Sequence, residues 1–515
     1  MYLTQGLHRA VQQTPDRPAT ICGDRVRTWA ESADRIARFA GALRALGVDS
    51  GDRVAILARN SDHYHEVMLA IAWADAVINP VNTRWSVAEI AFSFDDCDTK
   101  VLVVDDAFVA MVPDLRAQST ALEVVIHASD VPQPGVENDY ESLIAANEPV
   151  SDARRGGDDL AGIYYTGGTT GHPKGVMLSH TNLVSSALGA LATGELITPR
   201  GTVLHAAPMF HLADGITWIA GTIIGATHVM VSNFTPTSVA EAIATHHVTD
   251  VLLVPTMVQR LVDSPDAEKS DLTGLRRMIY GGSPIAEALL HRTRERLPHI
   301  GLTQIYGMTE NAATITMLTP LDHDDPALLR AAGRAEPHNE VRVVDVNGDE
   351  VPTGTVGEIA ITGPNVMLGY WNRPEQTSQT LRDGWLHTGD SGYMDQRGYV
   401  FLVDRIKDMI VTGGENVYSV EVENALCRHP AVAACAVIGI ADAEWGEAVH
   451  AVVVLHDGAN ATAEELRAHA KQHIAGYKAP RSVEFVDALP TSGAGKVLKT
   501  ELRAKYWPAG AHVVS

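Results

Sequence analysis

Two hydrophobic periods alternate along most of this chain, and that alternation narrows the possible folds more than any other feature. Short runs rich in β-branched residues, at 54–57, 101–104, 229–231, 251–254 and 278–280, are separated by longer stretches such as 63–73, whose apolar residues recur at helical spacing. A strand that is apolar on both sides needs cover on both faces, and helices crossing between parallel strands supply it. The pattern predicts α/β architecture with largely parallel sheets. From Val341 the period changes. VRVVD, EIAITG and YVFLVD are close-set strands joined by NGDE, GP and QRG turns, which predicts a small antiparallel barrel or sheet. Beyond Asp404 a compact α+β segment follows, with VYSVEVENALCRH and AEELRAHAKQHIA as helices and AVIGI and AVVVL as strands. At 515 residues the chain is long enough for several domains, and 404–407 is the best junction.

Apolar residues make up 45% of the chain and charged residues 20%, ample apolar surface for cores and the wrong composition for a disordered chain. Acidic residues outnumber basic ones 63 to 40, a formal net charge of −23. So acidic a surface argues against non-specific binding to nucleic acid or anionic membrane, and any anionic ligand must be drawn in locally. The cysteines Cys22, Cys97, Cys427 and Cys435 form no CxxC pair, so neither a zinc site nor a disulfide framework is expected. Residues 1–19 lack a basic segment followed by an apolar core. The most apolar stretch, 216–231, is interrupted by Gly221, Gly225 and His228, short of the ~20 residues a spanning helix needs. A soluble cytoplasmic protein is expected. Asp322-His323-Asp324-Asp325 has the composition of a metal site but reads as an exposed loop.

The strand ending at Tyr165 runs into Thr166-Gly167-Gly168-Thr169-Thr170-Gly171-His172-Pro173-Lys174-Gly175. Glycine lets backbone N–H groups approach oxyanions, threonine hydroxyls add donors and lysine adds a charge, so the string suits a polyphosphate. It is not a Walker loop, because Pro173 precedes Lys174 and Gly175 follows it; nor is it the dinucleotide GxGxxG pattern.

This loop resembles the phosphate-binding signature of the adenylate-forming superfamily, which holds acyl-CoA synthetases, amino-acid-adenylating domains and luciferases. The usual form is YTSGTTGxPKG, so the chain departs at Gly167, where one phosphate-contacting hydroxyl is lost. Further strings resemble the superfamily's other motifs, in order: PMFH at 208–211, YGMTE at 306–310, WLHTGD at 385–390, DRIKD at 404–408, GGENVY at 413–418 and PTSGAGK at 490–496. The resemblance implies a large N-terminal domain, 1–404, of two α/β sheet subdomains plus a small β-barrel. A hinge at 405–407 and a small mobile α+β domain over 408–515 complete it.

It also implies a reaction in two halves. A carboxylate attacks the α-phosphorus of ATP and expels pyrophosphate, and a thiol then attacks the acyl-adenylate and AMP leaves. No covalent enzyme intermediate is needed, so the protein positions reactants and stabilises charge. On those terms Thr166, Gly167, Gly168, Thr169, Thr170, Gly171 and Lys174 hold phosphates, Thr309 donates to phosphate, and Glu310 binds Mg²⁺ as a hard oxygen ligand. Tyr306 stacks on adenine beside Gly307, with Gly281, Gly282 and Ser283 lining its edge. Asp390 accepts from both ribose hydroxyls and Arg405 supports the same ribose. Lys496 bridges the attacking carboxylate and the α-phosphate, Lys407 is the hinge, and His211 closes the acid pocket beside the carboxylate.

For the thiol, the resemblance implies coenzyme A. Arg84 and Arg481 match positions that contact its phosphates, Tyr477 an aromatic that stacks on its adenine, Trp445 one near the pantetheine path, and Gly414 lines the thiol channel. Ala479 departs from the arginine of those relatives, with Lys478 as the substitute. The acid pocket draws on His211, Leu212, Ala213, Asp214, Val254, Thr256, Gly281, Gly307, Met308 and Ala312. Acetate-using relatives carry tryptophan at the position of Gly307, so glycine here implies an apolar tail, medium- to long-chain aliphatic or aromatic. Asp214 either faces solvent or meets a polar substrate group, because a buried unpaired carboxylate is costly. Dimers are common among such relatives. The competing reading is an adenylating enzyme that loads a carrier protein or stops at the adenylate. Leu212, where amino-acid-adenylating relatives place aspartate, counts against an amino-acid substrate, and no carrier-type GxDS segment follows Lys496. Lys174, Glu310, Asp390 and Lys496 together argue against a degenerate nucleotide-binding regulator.

Overall fold

The structure, a computed structural model, describes residues 1–129, 138–166, 173–405, 408–412, 415–442, 445–493 and 496–506. One eight-stranded sheet runs Gly369–Tyr370, Lys174–Ser179, Leu160–Thr166, Val77–Pro80, Arg53–Leu57, Thr99–Asp105, Val124–Ala128, Asn138–Asp139, and is parallel from Leu160–Thr166 onward. A nine-stranded sheet runs Arg334–Ala335, Thr316–Leu318, Gly301–Tyr306, Arg277–Gly281, Asp250–Leu253, Thr202–His205, Thr227–Met230, Pro18–Cys22, Arg25–Thr28. The strands between its antiparallel edges are all parallel. Both are largely parallel, as the alternation predicts, and their number is the one that the resemblance implies.

The helix Asp62–Trp73 departs from an amphipathic pattern, because every residue in it is buried. It touches strands of both sheets, so no face is left for water. Its buried acids are met by half-buried arginines instead: Asp62 by Arg25 at 2.5 Å and Glu66 by Arg35 at 2.8 Å. The stretch 216–231 splits into the helix Leu212–Ile224 and the strand Thr227–Met230, divided at Gly225, whose φ of 69° closes the helix in the left-handed region. No helix among the described residues is long and apolar enough to cross a membrane.

The third sheet is antiparallel, Glu340–Val344, Gly357–Thr362, Trp385–Met394, Leu381–Arg382, with Val400–Arg405 on Trp385–Met394. The fourth holds Glu415–Val417, Ile410–Thr412, Gly446–Leu455 and Val432–Asp442, with Ser482–Phe485 parallel to Gly446–Leu455. Helices Ser419–Leu426 and Ala463–His473 pack on it around Ile410, Val422, Leu426, Val437, Val453 and Leu466, a core of its own. The first of these helices starts later than VYSVEVENALCRH suggests. Val417 still belongs to a strand and Tyr418 is extended, while the Asp404 carboxylate accepts from the Ser419 N–H at 2.6 Å and its hydroxyl at 2.7 Å. An acid at the first free N–H groups of a helix fixes where it begins.

Candidate active site

In open parallel sheets, ligands sit beyond the carboxyl ends of the strands. In the nine-stranded sheet those ends deliver the expected residues side by side. Thr202–His205 leads to His211, Asp250–Leu253 to Val254 and Thr256, Arg277–Gly281 to Gly282 and Ser283, and Gly301–Tyr306 to Gly307, Met308, Thr309 and Glu310. The PMFH loop is pinned by Asn60, which the sequence did not single out. Its amide donates to the carbonyls of His205 and Ala207 and accepts from the Met209 N–H.

Gly307 answers to backbone crowding. A Cβ there would lie 1.9 Å from the Ala313 carbonyl oxygen, because Ala312 and Ala313 both adopt left-handed backbone, φ 51° and 84°. In this backbone the position admits only glycine, a reason for Gly307 that stands beside the room it leaves in the pocket.

Around the nucleotide positions, polar groups hold one another. The Tyr306 hydroxyl donates to Asp390 Oδ2 at 2.6 Å, and both side chains are nearly buried. Arg405 lies in register opposite Asp390 across the antiparallel pair. Gly389, at φ 71°, donates its N–H to Glu358 Oε1 at 3.0 Å, and His387 meets the other oxygen of Glu358 at 2.8 Å. Glu358 thus holds the irregular point in this strand, at Gly389, that precedes Asp390. In the sequence it is only an alternating strand residue of EIAITG.

Glu310 is 8% exposed, and its Oε1 accepts from the Tyr370 hydroxyl at 2.8 Å. Burial first, and the Glu310 charge second, raise the Tyr370 phenol, so it stays protonated and donates. Lys174 Nζ stands 4.6 Å from the centre of the Tyr370 ring, a cation–π contact, and Lys174 pairs with Thr166 across the base of the glycine-rich hairpin. The second oxygen of Glu310 carries no protein hydrogen bond among the described residues. A hard, half-engaged carboxylate that shares the Tyr370 ring with Lys174 fits Mg²⁺. Gly167, Gly168, Thr169, Thr170 and Gly171 lie outside the described residues, as do Lys407 and Gly414.

Lys496 reaches this cleft from the fourth-sheet domain. Its Cε lies 3.6 Å from where a Gly282 Cβ would be, and Val254 Cγ1 is 3.8 Å from the same point. The loop bearing it is tied by Ser492 N–H to Lys496 O at 2.7 Å and by Lys496 N–H to Ser492 Oγ at 3.1 Å. It docks on the body through Arg84 Nη1, which donates to Ser492 O at 2.8 Å, and through Gly493, where a Cβ would sit 2.6 Å from Asn82 Oδ1. Arg84 therefore holds the Lys496 loop in this arrangement, a task different from the coenzyme contact expected of it.

His211 caps the helix Leu212–Ile224, its Nδ1 accepting from the Ala213 N–H at 3.2 Å. A backbone N–H can only donate, so Nδ1 is bare and Nε2 carries the proton. Burial, and secondly the charge of Lys496, push this imidazole down to about 3, so it is neutral at pH 7. Among the acid-pocket residues Leu212, Val254 and Ala312 are buried, and Ala213, Thr256 and Met308 half-buried. Asp214 faces neither solvent nor an empty partner: it is 0% exposed, and its Oδ2 meets His205 Nδ1 at 2.7 Å.

On the small domain the Arg481 guanidinium stacks over Trp445 at 4.5 Å, and Tyr477 is exposed. Lys478 does not stand in for the missing arginine, because its ammonium is bound to both oxygens of Glu421 at 2.8 Å. Ala479 is a core residue of this domain. The Asp322-His323-Asp324-Asp325 string is a 3-10 turn with Asp322 and His323 buried, held by Tyr399 at 2.6 Å and Tyr280 at 2.8 Å. It is neither an exposed loop nor, among the described residues, part of a metal-binding group.

The family of AMP-binding enzymes matches residues 7–371, and the AMP-binding enzyme C-terminal domain matches residues 421–496. This chain belongs to the AMP-binding enzyme family. Like its family, it is an adenylate-forming ligase, with ATP and a carboxylic acid as substrates. Feruloyl-CoA synthase of Amycolatopsis sp is 40% identical over 499 residues, 97% of this chain and 98% of that protein. The fatty acid–[acyl-carrier-protein] ligase ScoC of Streptomyces coeruleorubidus is 36% identical over 512 residues, 98% of this chain and 96% of that one. The solved structure of the amide bond synthetase McbA from Marinactinospora thermotolerans has a TM-score of 0.88 at 33% identity, covering 98% of this chain and 99% of that chain.

Proposed function

We propose that this AMP-binding enzyme is an ATP-dependent carboxylic acid–CoA ligase that activates an apolar acid, a medium- to long-chain fatty acid or an aromatic acid. The observation that carries this reading is the convergence of Lys496 from the small domain on Gly282, Val254 and His211 of the large one. In the first half-reaction a carboxylate oxygen bonds to the α-phosphorus as the bond to pyrophosphate breaks. Lys496 offsets the charge gathering there, and the neutral His211 can donate from Nε2. Asp390 and Tyr306 fix ribose and adenine, while Lys174 and Thr309 take phosphate oxygens. Mg²⁺ on Glu310 would supply further positive charge between phosphates. Once substrates cover the cleft, these few charges would count for more than the screened acidic surface of a −23 chain. In the second half-reaction the small domain, 408–515, turns about 405–407 and the thiolate of coenzyme A attacks the acyl carbon, releasing AMP. Arg481, Trp445 and Tyr477 are the coenzyme contacts in this scheme.

Carrier-protein loading is the second reading, favoured by the engagement of Arg84 with Ser492 and Lys478 with Glu421, which thins the phosphate clamp. Cytoplasmic residence and a homodimer belong to the same proposal. A panel of acids assayed for pyrophosphate release, with and without coenzyme A, tests it. Thioester product is expected with apolar acids; coenzyme-independent release without thioester would overturn it in favour of the second reading.

A further inference from the structure

One face of the helix Leu212–Ile224 presents Asp214, Trp218 and Thr222, spaced four residues apart, to three buried histidines on three other elements. Asp214 Oδ2 meets His205 Nδ1 at 2.7 Å, Trp218 Nε1 donates to His65 Nδ1 at 2.8 Å, and Thr222 Oγ1 meets His228 Nε2 at 3.4 Å. The histidines are joined to one another: His205 Nε2 lies 2.8 Å from His228 Nδ1, and the His65 and His228 rings are 5.3 Å apart. All three are fully buried, and the seam is tight, since a Cβ on Gly221 would lie 2.7 Å from His228 Cε1.

The protons can be placed by elimination. An indole N–H only donates, so His65 Nδ1 is bare and His65 is neutral with its proton on Nε2. The Thr222 hydroxyl spends its one proton on the Trp218 carbonyl at 2.9 Å and so accepts from His228 Nε2–H. His228 Nδ1 is then an acceptor, filled by His205 Nε2–H, and a single proton remains between His205 Nδ1 and Asp214. Burial holds His65 down to about 3 and His228 well below its ordinary value, so neither changes charge near neutrality. Each bond between the helix and the histidines has its donor and acceptor assigned, while the His65 Nε2–H has no acceptor among the described residues. Shifting the helix along or about its axis would break these bonds inside a dry interior, where each lost partner is costly.

We infer that Asp214, Trp218 and Thr222, acting through His205, His65 and His228, are positioning residues that set where the start of this helix stands. They thereby fix His211 and Ala213 relative to Lys496. The inference rests on the reading that this helix start lines the acid pocket.

The test is steady-state kinetics on the full enzyme, with KM for the acid and for ATP measured separately. Asp214→Leu removes the carboxylate without leaving a buried charge, Asp214→Asn keeps an acceptor for His205, and Trp218→Phe keeps the ring but deletes the donor to His65. Ala213→Phe reports on the pocket itself. A displaced helix start predicts that acid KM rises about tenfold in Asp214→Leu and about threefold in Trp218→Phe, with ATP KM unmoved and Asp214→Asn close to wild type. A purely structural seam would lower the yield of folded enzyme and leave acid KM unchanged. Folded Trp218→Phe and Asp214→Leu with wild-type acid KM, while Ala213→Phe raises it, would overturn the inference alone. An unaltered acid KM in Ala213→Phe would overturn the pocket reading beneath it. Where Asp214→Leu does not fold, Trp218→Phe decides.

Discussion

On the body side of the cleft the groups assigned to ATP and its metal are held by other protein groups: Tyr306 by Asp390, Glu310 by Tyr370, Gly389 before Asp390 by Glu358. On the small domain, Trp445 is 39% exposed and Tyr477 48%, and among the described residues Arg481 leans on Trp445 rather than on a carboxylate. Fixed dipoles in a buried site need no reorganisation as charge develops, whereas exposed aromatics gain their contacts only when a ligand covers them. In the proposed scheme, the difference ties preorganisation to the adenylate half of the chemistry and leaves the thiol half to surfaces that a turn of the small domain would bring in. Lys496 belongs to the small domain by chain and to the body side by position, so it is the sharpest probe of the contrast. Lys496→Ala should lower acid-dependent pyrophosphate exchange by about 10²–10³-fold. Thioester formation from pre-made acyl-adenylate should persist, and equal loss of both halves would erase the distinction.

Tyr306→Phe probes the same side with a smaller lesion. It keeps the ring for adenine but leaves the nearly buried Asp390 without its 2.6 Å donor. ATP KM should rise about tenfold, the scale of one hydrogen bond to a charged group, with coenzyme A KM unchanged. A matched rise in both would mean that the two sides are not separable.

His211 gives the comparison a pH axis. Held down to about 3 by burial and Lys496, it stays neutral from pH 8 to pH 5, so the adenylation rate should show no limb from it there. In the unfolded chain the same ring protonates below its ordinary value near 6.5. The unfolded state then binds the extra proton, and native stability falls as pH drops from 6.5 towards 3, by up to about 1.4 kcal/mol per unit. Urea unfolding at pH 7, 6 and 5 should therefore show a shallower decline in His211→Gln than in wild type. An inflection in wild-type rate near pH 6 that His211→Gln removes would refute the neutral assignment.

The motif strings were legible because each is a contiguous piece of chain whose chemistry is local: a lysine after a glycine-rich turn, a carboxylate after a tyrosine. The parallel strands were legible through their apolar runs. Partners across the fold were not. Periodicity says which way a side chain points and not what it meets, so Glu358 under Gly389, Tyr370 on Glu310 and Asn60 under the PMFH loop left no signal. The N-terminal hairpin of Pro18–Cys22 and Arg25–Thr28 carries too little apolar sequence to announce that it edges the second sheet. Asp214 was troubling in sequence because its partner, His205, precedes the helix that carries it. Cys427 and Cys435, remote by motif rules, stand 3.6 Å apart as thiols, because the strand Val432–Asp442 returns along the helix Ser419–Leu426.

The smallest expected effect tests how the small domain divides its cations. Lys478 and Arg481 lie three positions apart, but Lys478 is bound to Glu421, and among the described residues Arg481 meets the Trp445 ring and no carboxylate. A partly exposed lysine–carboxylate pair is worth about 0–1 kcal/mol, so Lys478→Ala should leave stability and coenzyme A KM within about twofold of wild type. Arg481→Ala removes a guanidinium that has no carboxylate partner among the described residues and should raise coenzyme A KM about fivefold, with acid and ATP KM unmoved. Equal rises in the two variants would mean that Lys478 leaves Glu421 when the small domain turns. The contrast between a fixed body and an adaptable lid would then extend to the ion pairs within the lid.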